Sequence, residues 1–127
     1  MVKRLSSQVG FTLIELLVVL AVVATLLSLV APRYVNSLDR SKEAVLRTNL
    51  KLTRSAIDQH YSDTGKYPLN LNDLVERRYL RSVPTDPITE RADSWLLIGH
   101  PSGFPGIYDV RSGATGLASD GSEYRSW

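Results

Sequence analysis

The sequence predicts an α+β protein: a long N-terminal helix, half lipid-like and half amphipathic, packed on a short second helix and a small antiparallel sheet of two or three strands. Three observations predict it. Residues 11–31 form an almost unbroken apolar run. Residues 33–61 contain no glycine or proline and set their apolar side chains at helical spacing. From residue 93 onward, short β-type runs alternate with glycine- and proline-rich loops.

Size and composition bound what this fold can do. Of the 127 residues, roughly ninety remain to build a core once the apolar run is set aside, which is small but workable. The formal charge of +2 is spread along the chain, and no Lys/Arg block stands ready to track phosphates, so no nucleic-acid partner is expected. The chain has no cysteine, which excludes disulfides, a thiolate nucleophile and thiolate metal sites.

The N-terminal element begins MVKRLSSQVG, with Lys3 and Arg4 as a positive start. Phe11 to Ala31 follow as 21 residues whose single charge is Glu15. As a helix this run spans about 30 Å, the thickness of a bilayer's hydrocarbon core. Pro32 comes next, where a bend or local break is expected. A secretory signal peptide has a shorter apolar region, of about 7–15 residues. Ser28 and Ala31 are small, but the helix-compatible chain continues past them without a clean cleavage site. A plain membrane anchor accounts for the length but not for Glu15, because a carboxylate in hydrocarbon costs several kcal/mol unless paired or near the interface.

The residues Gly10-Phe11-Thr12-Leu13-Ile14-Glu15 resemble the signature of type IV pilins and pseudopilins. The resemblance implies that residues 1–10 are a leader cut after Gly10 by a prepilin peptidase. The exposed Phe11 then becomes the N-methylated terminus, and Glu15 the fifth mature residue. Residues 11–32 would be the transmembrane and assembly helix, and residues 33–127 a periplasmic head that includes the amphipathic half of the long helix. The physical logic agrees. Cleavage leaves an ammonium on Phe11, and in a staggered bundle Glu15 of one subunit reaches the Phe11 ammonium of its neighbour. A buried pair of this kind fixes register. Cleavage also removes two of the fifteen basic residues, leaving as many as the thirteen acidic ones. The positive leader predicts a cytoplasmic N-terminus and a C-terminus beyond the membrane.

In the amphipathic half, Leu46, Leu50, Ile57 and Tyr61 fall near one face, with Val45, Asn49, Leu52 and Ala56 beside it. Gly65 and Pro68 end the helix within Asp63-Thr64-Gly65-Lys66-Tyr67-Pro68. Residues 69–80 read as the second helix, capped by Asn70 or Asn72, with Leu71, Leu74, Val75 and Tyr79 inward. The segment Val83-Pro84-Thr85-Asp86-Pro87 is a fixed loop. Residues 95–98 and 107–110 are the strand candidates. Trp95, Tyr108, Tyr124 and Trp127 read as core or sheet-edge residues.

The order of these segments resembles the major, G-type pseudopilin of type II secretion along nearly the whole chain. The missing cysteines set it apart from type IVa pilins, which carry a C-terminal disulfide loop. The resemblance implies a single-pass protein of the bacterial inner membrane, its head in the periplasm, that polymerises as a homo-oligomeric helical filament, the pseudopilus. Implied partners are the prepilin peptidase, minor pseudopilins, an inner-membrane platform protein with its secretion ATPase, and an outer-membrane secretin. The implied function is structural, helping to drive protein export across the outer membrane. The alternative is a minor pilin of a type IV pilus or competence system whose head binds DNA or a surface. Relatives of the G type bind calcium in the C-terminal loop, which implies a calcium site at Asp120, the Leu117 carbonyl and Ser122. The loop here is shorter than the common form, and the other reading is a plain turn at Asp120-Gly121.

Nothing in the sequence reads as an enzyme. His60 and His100 are the only histidines and share no metal or triad spacing. His60 reads as a surface or boundary residue of the helix. No Gly-x-Ser-x-Gly elbow or phosphate-cradling glycine loop occurs.

Overall fold

A computed structural model describes Lys3 and residues 9–127; residues 1, 2 and 4–8, which carry Arg4 and most of the expected leader, lie outside the described residues. The first helix, α1, runs from Leu13 to Thr64, 52 residues. It continues through Pro32 without the expected break. A proline removes one main-chain donor and crowds the preceding turn, and here the helix accommodates both. The helix ends as its sequence predicts: Gly65 turns left-handed (φ +73) and its N–H donates to the Tyr61 carbonyl at 2.8 Å.

The second helix, α2, is Leu71–Glu76, half the length the sequence suggests. Its start is a capping box: Asn70 Oδ1 accepts from the Asp73 N–H at 2.9 Å, while the Asp73 carboxylate accepts from the Asn70 N–H at 3.3 Å. Its end is a Schellman motif. Arg78 takes the left-handed position (φ 63), its N–H donates to the Val75 carbonyl at 3.1 Å, and the Tyr79 N–H donates to the Leu74 carbonyl at 2.8 Å. Arginine stands where glycine usually signals this stop, so the composition hides the end of the helix.

The sheet has two strands, β1 (Leu96–Gly99) and β2 (Ile107–Arg111), antiparallel, with Leu97 opposite Val110 and an irregularity at Ile98/Gly99. A single 3₁₀ turn, Tyr124–Ser126, closes the described chain. The architecture is the α+β arrangement expected, with two strands.

The described chain divides into two compact units, one ending at Ser37 and the other running from Leu38 to Trp127. In the first, every side chain is exposed. In the second, Leu46, Leu50 and Ile57 of α1 form the floor of a core completed by Leu74 of α2, Trp95, Ile107, Val110, Ala114 and Tyr124. Trp95 is buried with its indole N–H donating to the Pro84 carbonyl at 2.8 Å. The proline-rich loop is pinned by a fully buried aspartate. Asp86 Oδ1 accepts from the Ile88 and Thr89 N–H groups at 2.8 and 3.3 Å, and Oδ2 from the Ser112 hydroxyl at 2.6 Å. Aspartate favours such local closure because its short side chain reaches the backbone two residues on.

Two expectations test this packing, each by urea denaturation of the full chain in detergent micelles. Leu46→Ala empties a fully buried site and should cost roughly 3 kcal/mol, whereas Val45→Ala, at an exposed neighbour, should stay within about 0.5 kcal/mol. Gly113→Ala should destabilise by about 2 kcal/mol, in the overpacking range, because an added Cβ would lie 1.8 Å from the Ser94 carbonyl oxygen.

Candidate functional site

Two regions carry the residues the sequence singles out. In the first, Gly10, Phe11 and Thr12 precede α1 as non-helical chain, and the Phe11 side chain is 96 % exposed. Thr12 is the N-cap of α1 and Glu15 its third residue. The Glu15 N–H donates to the Thr12 hydroxyl at 3.2 Å, and the Thr12 N–H donates to Glu15 Oε2 at 2.9 Å. This is a capping box, legible as Thr-x-x-Glu before an apolar run, and the sequence reading passed over it. Among the described residues no cation pairs with Glu15. Leu13 through Val30 present their aliphatic side chains outward, and α1 is long and apolar enough to cross a membrane.

In the second region, the C-terminal segment folds back on the amphipathic half of α1. Leu117 and Glu123 face each other as an antiparallel bridge. Inside it, the Ala118 N–H donates to the Ser122 carbonyl at 2.7 Å and the Gly121 N–H to the Ala118 carbonyl at 3.0 Å. Asp120 Oδ1 accepts from the Ser122 N–H at 2.9 Å and the Ser122 hydroxyl at 2.5 Å. Asp120 Oδ2 lies 3.5 Å from the Arg47 guanidinium, which sits 3.8 Å over the Trp127 ring. The Ser122 hydroxyl in turn accepts from the Trp127 indole N–H at 2.7 Å. The Ser122 hydroxyl, then its N–H and Arg47, hold the Asp120 carboxyl below its ordinary range, against some desolvation.

The residue that organises this segment was not foreseen. Glu43 of α1 is only 7 % exposed. Its Oε1 accepts from the Ser119 N–H at 2.6 Å and the Tyr124 hydroxyl at 3.1 Å, and its Oε2 from the Ser119 hydroxyl at 2.6 Å. The Ser119 hydroxyl is the main reason its carboxyl is held below the usual range; burial and the Asp120 charge oppose this, while the Ser119 N–H and Tyr124 reinforce it. Tyr124 is pushed up, chiefly by burial and then by its bond to Glu43. In sequence Glu43 is one more charge on a charged helix.

Of the residues proposed for calcium, Asp120 and Ser122 come together as an Asx-type turn, while Leu117 pairs with Glu123 across the bridge. Calcium takes six to eight oxygens, several of them carboxylate. Here one carboxylate, Asp120, faces a guanidinium, and the nearby Asp109 carboxylate accepts from Arg54 Nε at 2.8 Å. Among the described residues no group of three His, Cys, Asp or Glu converges.

Both histidines are committed to packing. His60 is 5 % exposed, correcting the surface reading: its Nδ1 lies 2.7 Å from the Lys66 carbonyl, holding the loop after α1. His100 Nδ1 accepts from the Ser102 N–H at 3.0 Å, and the ring packs against Tyr67, Phe104 and Tyr108.

Residues 6–31 match the family model described as the prokaryotic N-terminal methylation motif. The chain is 30% identical to the type II secretion system core protein G of Pseudomonas aeruginosa, an alignment covering 91% of this chain and 87% of that protein. It is 31% identical to the core protein G of Xanthomonas campestris over 55% of this chain, spanning about half (49%) of that relative's length. A match to the type IV major pilin protein PilA of Myxococcus xanthus, at 34% identity, covers 51% of this chain and 30% of the pilin. No solved structure matches the chain significantly. The near full-length alignment, the methylation motif and the α+β fold agree, and the chain belongs to the type II secretion system core protein G family.

Proposed function

We propose that this chain is a structural subunit of a pseudopilus and not an enzyme. It inserts in the bacterial inner membrane through the apolar half of α1, with its head in the periplasm. A prepilin peptidase cuts it after Gly10 and methylates Phe11. The mature subunits then polymerise through residues 11–31. Growth of the filament, driven by a secretion ATPase and a platform protein and joined by minor pseudopilins, helps to move exported proteins through an outer-membrane secretin. The observation that carries this reading is the wholly exposed apolar face of Leu13–Val30 with one carboxylate at its start. Such a surface has no stable place in water, and Glu15 has no obvious place in lipid.

The chemistry of assembly follows from the medium. Neighbouring helices and lipid tails are almost equally apolar, so burial alone gives helices little reason to leave the bilayer. A polar contact available only between subunits changes that balance. The ammonium created at Phe11 by cleavage is such a partner for Glu15. A second, weaker reading is a minor pilin of a type IV pilus or competence system; the Myxococcus xanthus match, to a type IV major pilin, bears only on its type IV pilin part. Electron microscopy of overexpressing cells, combined with a secretion assay, separates the two: surface pili with normal secretion in a deletion strain support the second.

Two variants test the first reading. Gly10→Val should leave the leader attached, seen as an unshifted band on a gel and an intact Met1 terminus by mass spectrometry. Glu15→Leu should insert and be cleaved normally, yet yield filaments at least about tenfold below wild type, the equivalent of losing about 1.4 kcal/mol per contact. A normal filament yield from Glu15→Leu would remove this account of the carboxylate.

A further inference from the structure

We propose that Glu43 is a built-in anionic clasp that holds the C-terminal segment on α1 and leaves that segment no use for a bound cation. The segment from Ser112 to Trp127 includes only two regular elements, a lone bridge and a single 3₁₀ turn. No disulfide closes it, since the chain has no cysteine. A segment of that kind needs a staple, and the side chains around it show which one is in place.

The clasp has three parts. The first is the Glu43 carboxylate, buried, with both oxygens engaged by Ser119 and Tyr124 across 76 and 81 residues of sequence. Hydrogen bonds to an ionised acceptor are about twice as strong as neutral ones, and a carboxylate left unpaired in this position would be costly. The second is Arg47, one turn further along α1, which stacks on Trp127 and faces Asp120. The third is Arg54, two turns beyond Arg47, whose guanidinium donates to Asp109, to the Val110 carbonyl at 2.9 Å and to the main-chain oxygen of Trp127. One helix thus offers a carboxylate to Ser119 and Tyr124 and two guanidinium groups to Asp120, Asp109 and Trp127.

This arrangement is electrostatically unfavourable to a divalent cation. A cation placed at Asp120 would compete with Arg47, and one placed at Asp109 with Arg54, for carboxylates that already have a positive partner. Of the carboxylates that remain, Glu43 already has donors on both oxygens, and Glu123 is exposed at the bridge to Leu117. The positive partners that an acidic loop would take from solution are supplied covalently by α1. This inference does not depend on filament assembly.

The test uses the full chain in detergent micelles, followed by tryptophan fluorescence during heating, in EDTA and in millimolar calcium chloride. Wild type should melt within about 1 °C in the two buffers, since a cation bound at many times its Kd would raise the transition by several degrees. Calorimetric titration with calcium should give no stoichiometric binding. Glu43→Gln should lower the midpoint by more than about 5 °C in either buffer, with no recovery in calcium. Ser119→Ala, a milder change that keeps the fold populated, should lower it by about 2–5 °C. The two substitutions together should cost clearly less than their sum, because both remove the same contact. A calcium-dependent rise in the wild-type midpoint, stoichiometric calcium binding, wild-type melting of Ser119→Ala, or strict additivity of the pair would each overturn the proposal.

Discussion

The rest of the structure depends on a mismatch between α1 and water. Its first half carries Leu, Val and Ile on every side, and none of them is covered by the described chain. Each such side chain gains roughly 1.5–3 kcal/mol when fully withdrawn from water, so over this stretch the drive toward an apolar medium exceeds the whole stability of a small domain, about 5–15 kcal/mol. The segment must lie in an apolar medium, and everything C-terminal to it must therefore fold as a self-sufficient unit using only the second half of the same helix.

That second unit is economical in how it does so. A helix alone gives one apolar stripe, and here the stripe of Leu46, Leu50 and Ile57 is covered by α2, the two strands and the C-terminal segment. The sheet is too small to be stable by itself. Buried polar anchors compensate: Asp86 ties the proline loop to Ser112, His60 ties the loop after α1 to the helix end, and Glu43 ties the C-terminal segment down. No buried side-chain nitrogen or oxygen lacks a partner among the described residues. Satisfied networks of this kind specify one arrangement because every alternative leaves a donor or acceptor unpaired.

Much of this was readable from residue types, and the failures have a common cause. Signals carried by local chemistry came through. Gly65 marked the end of α1, Asn70, one of two candidate caps, the start of α2, and the strands lie within a residue or so of where β-branched and aromatic runs put them. Signals that depend on long-range partners did not. Glu43 and His60 look like surface residues of a charged helix until residues 119, 124 and 66 are brought alongside. The early stop of α2 was missed because Arg78 adopts the left-handed conformation that glycine advertises. At Pro32 the expected break does not occur, because one missing helical donor is too small a loss to end a 52-residue helix. At the N-terminus the short motif spoke for a family, and the near full-length relative bore it out.

The capping box at the head of α1 sharpens the question of what Glu15 is for. A cap of this type contributes about 1 kcal/mol, less than the several kcal/mol that a carboxylate costs in hydrocarbon. Capping alone therefore does not explain a glutamate at this depth, since a serine or threonine cap works without an acid three residues later. The box does decide how the carboxylate is presented. Oε2 takes the Thr12 N–H, which fixes the side chain against the first turn, and among the described residues no donor reaches Oε1. In the proposed filament the ammonium of a neighbouring Phe11 meets a carboxylate already ordered and with one oxygen open, so pairing need not sacrifice the cap. Preorganisation of this kind reduces the side-chain entropy lost on association. In that proposal Thr12 and Glu15 act as one device, the first aiming what the second offers.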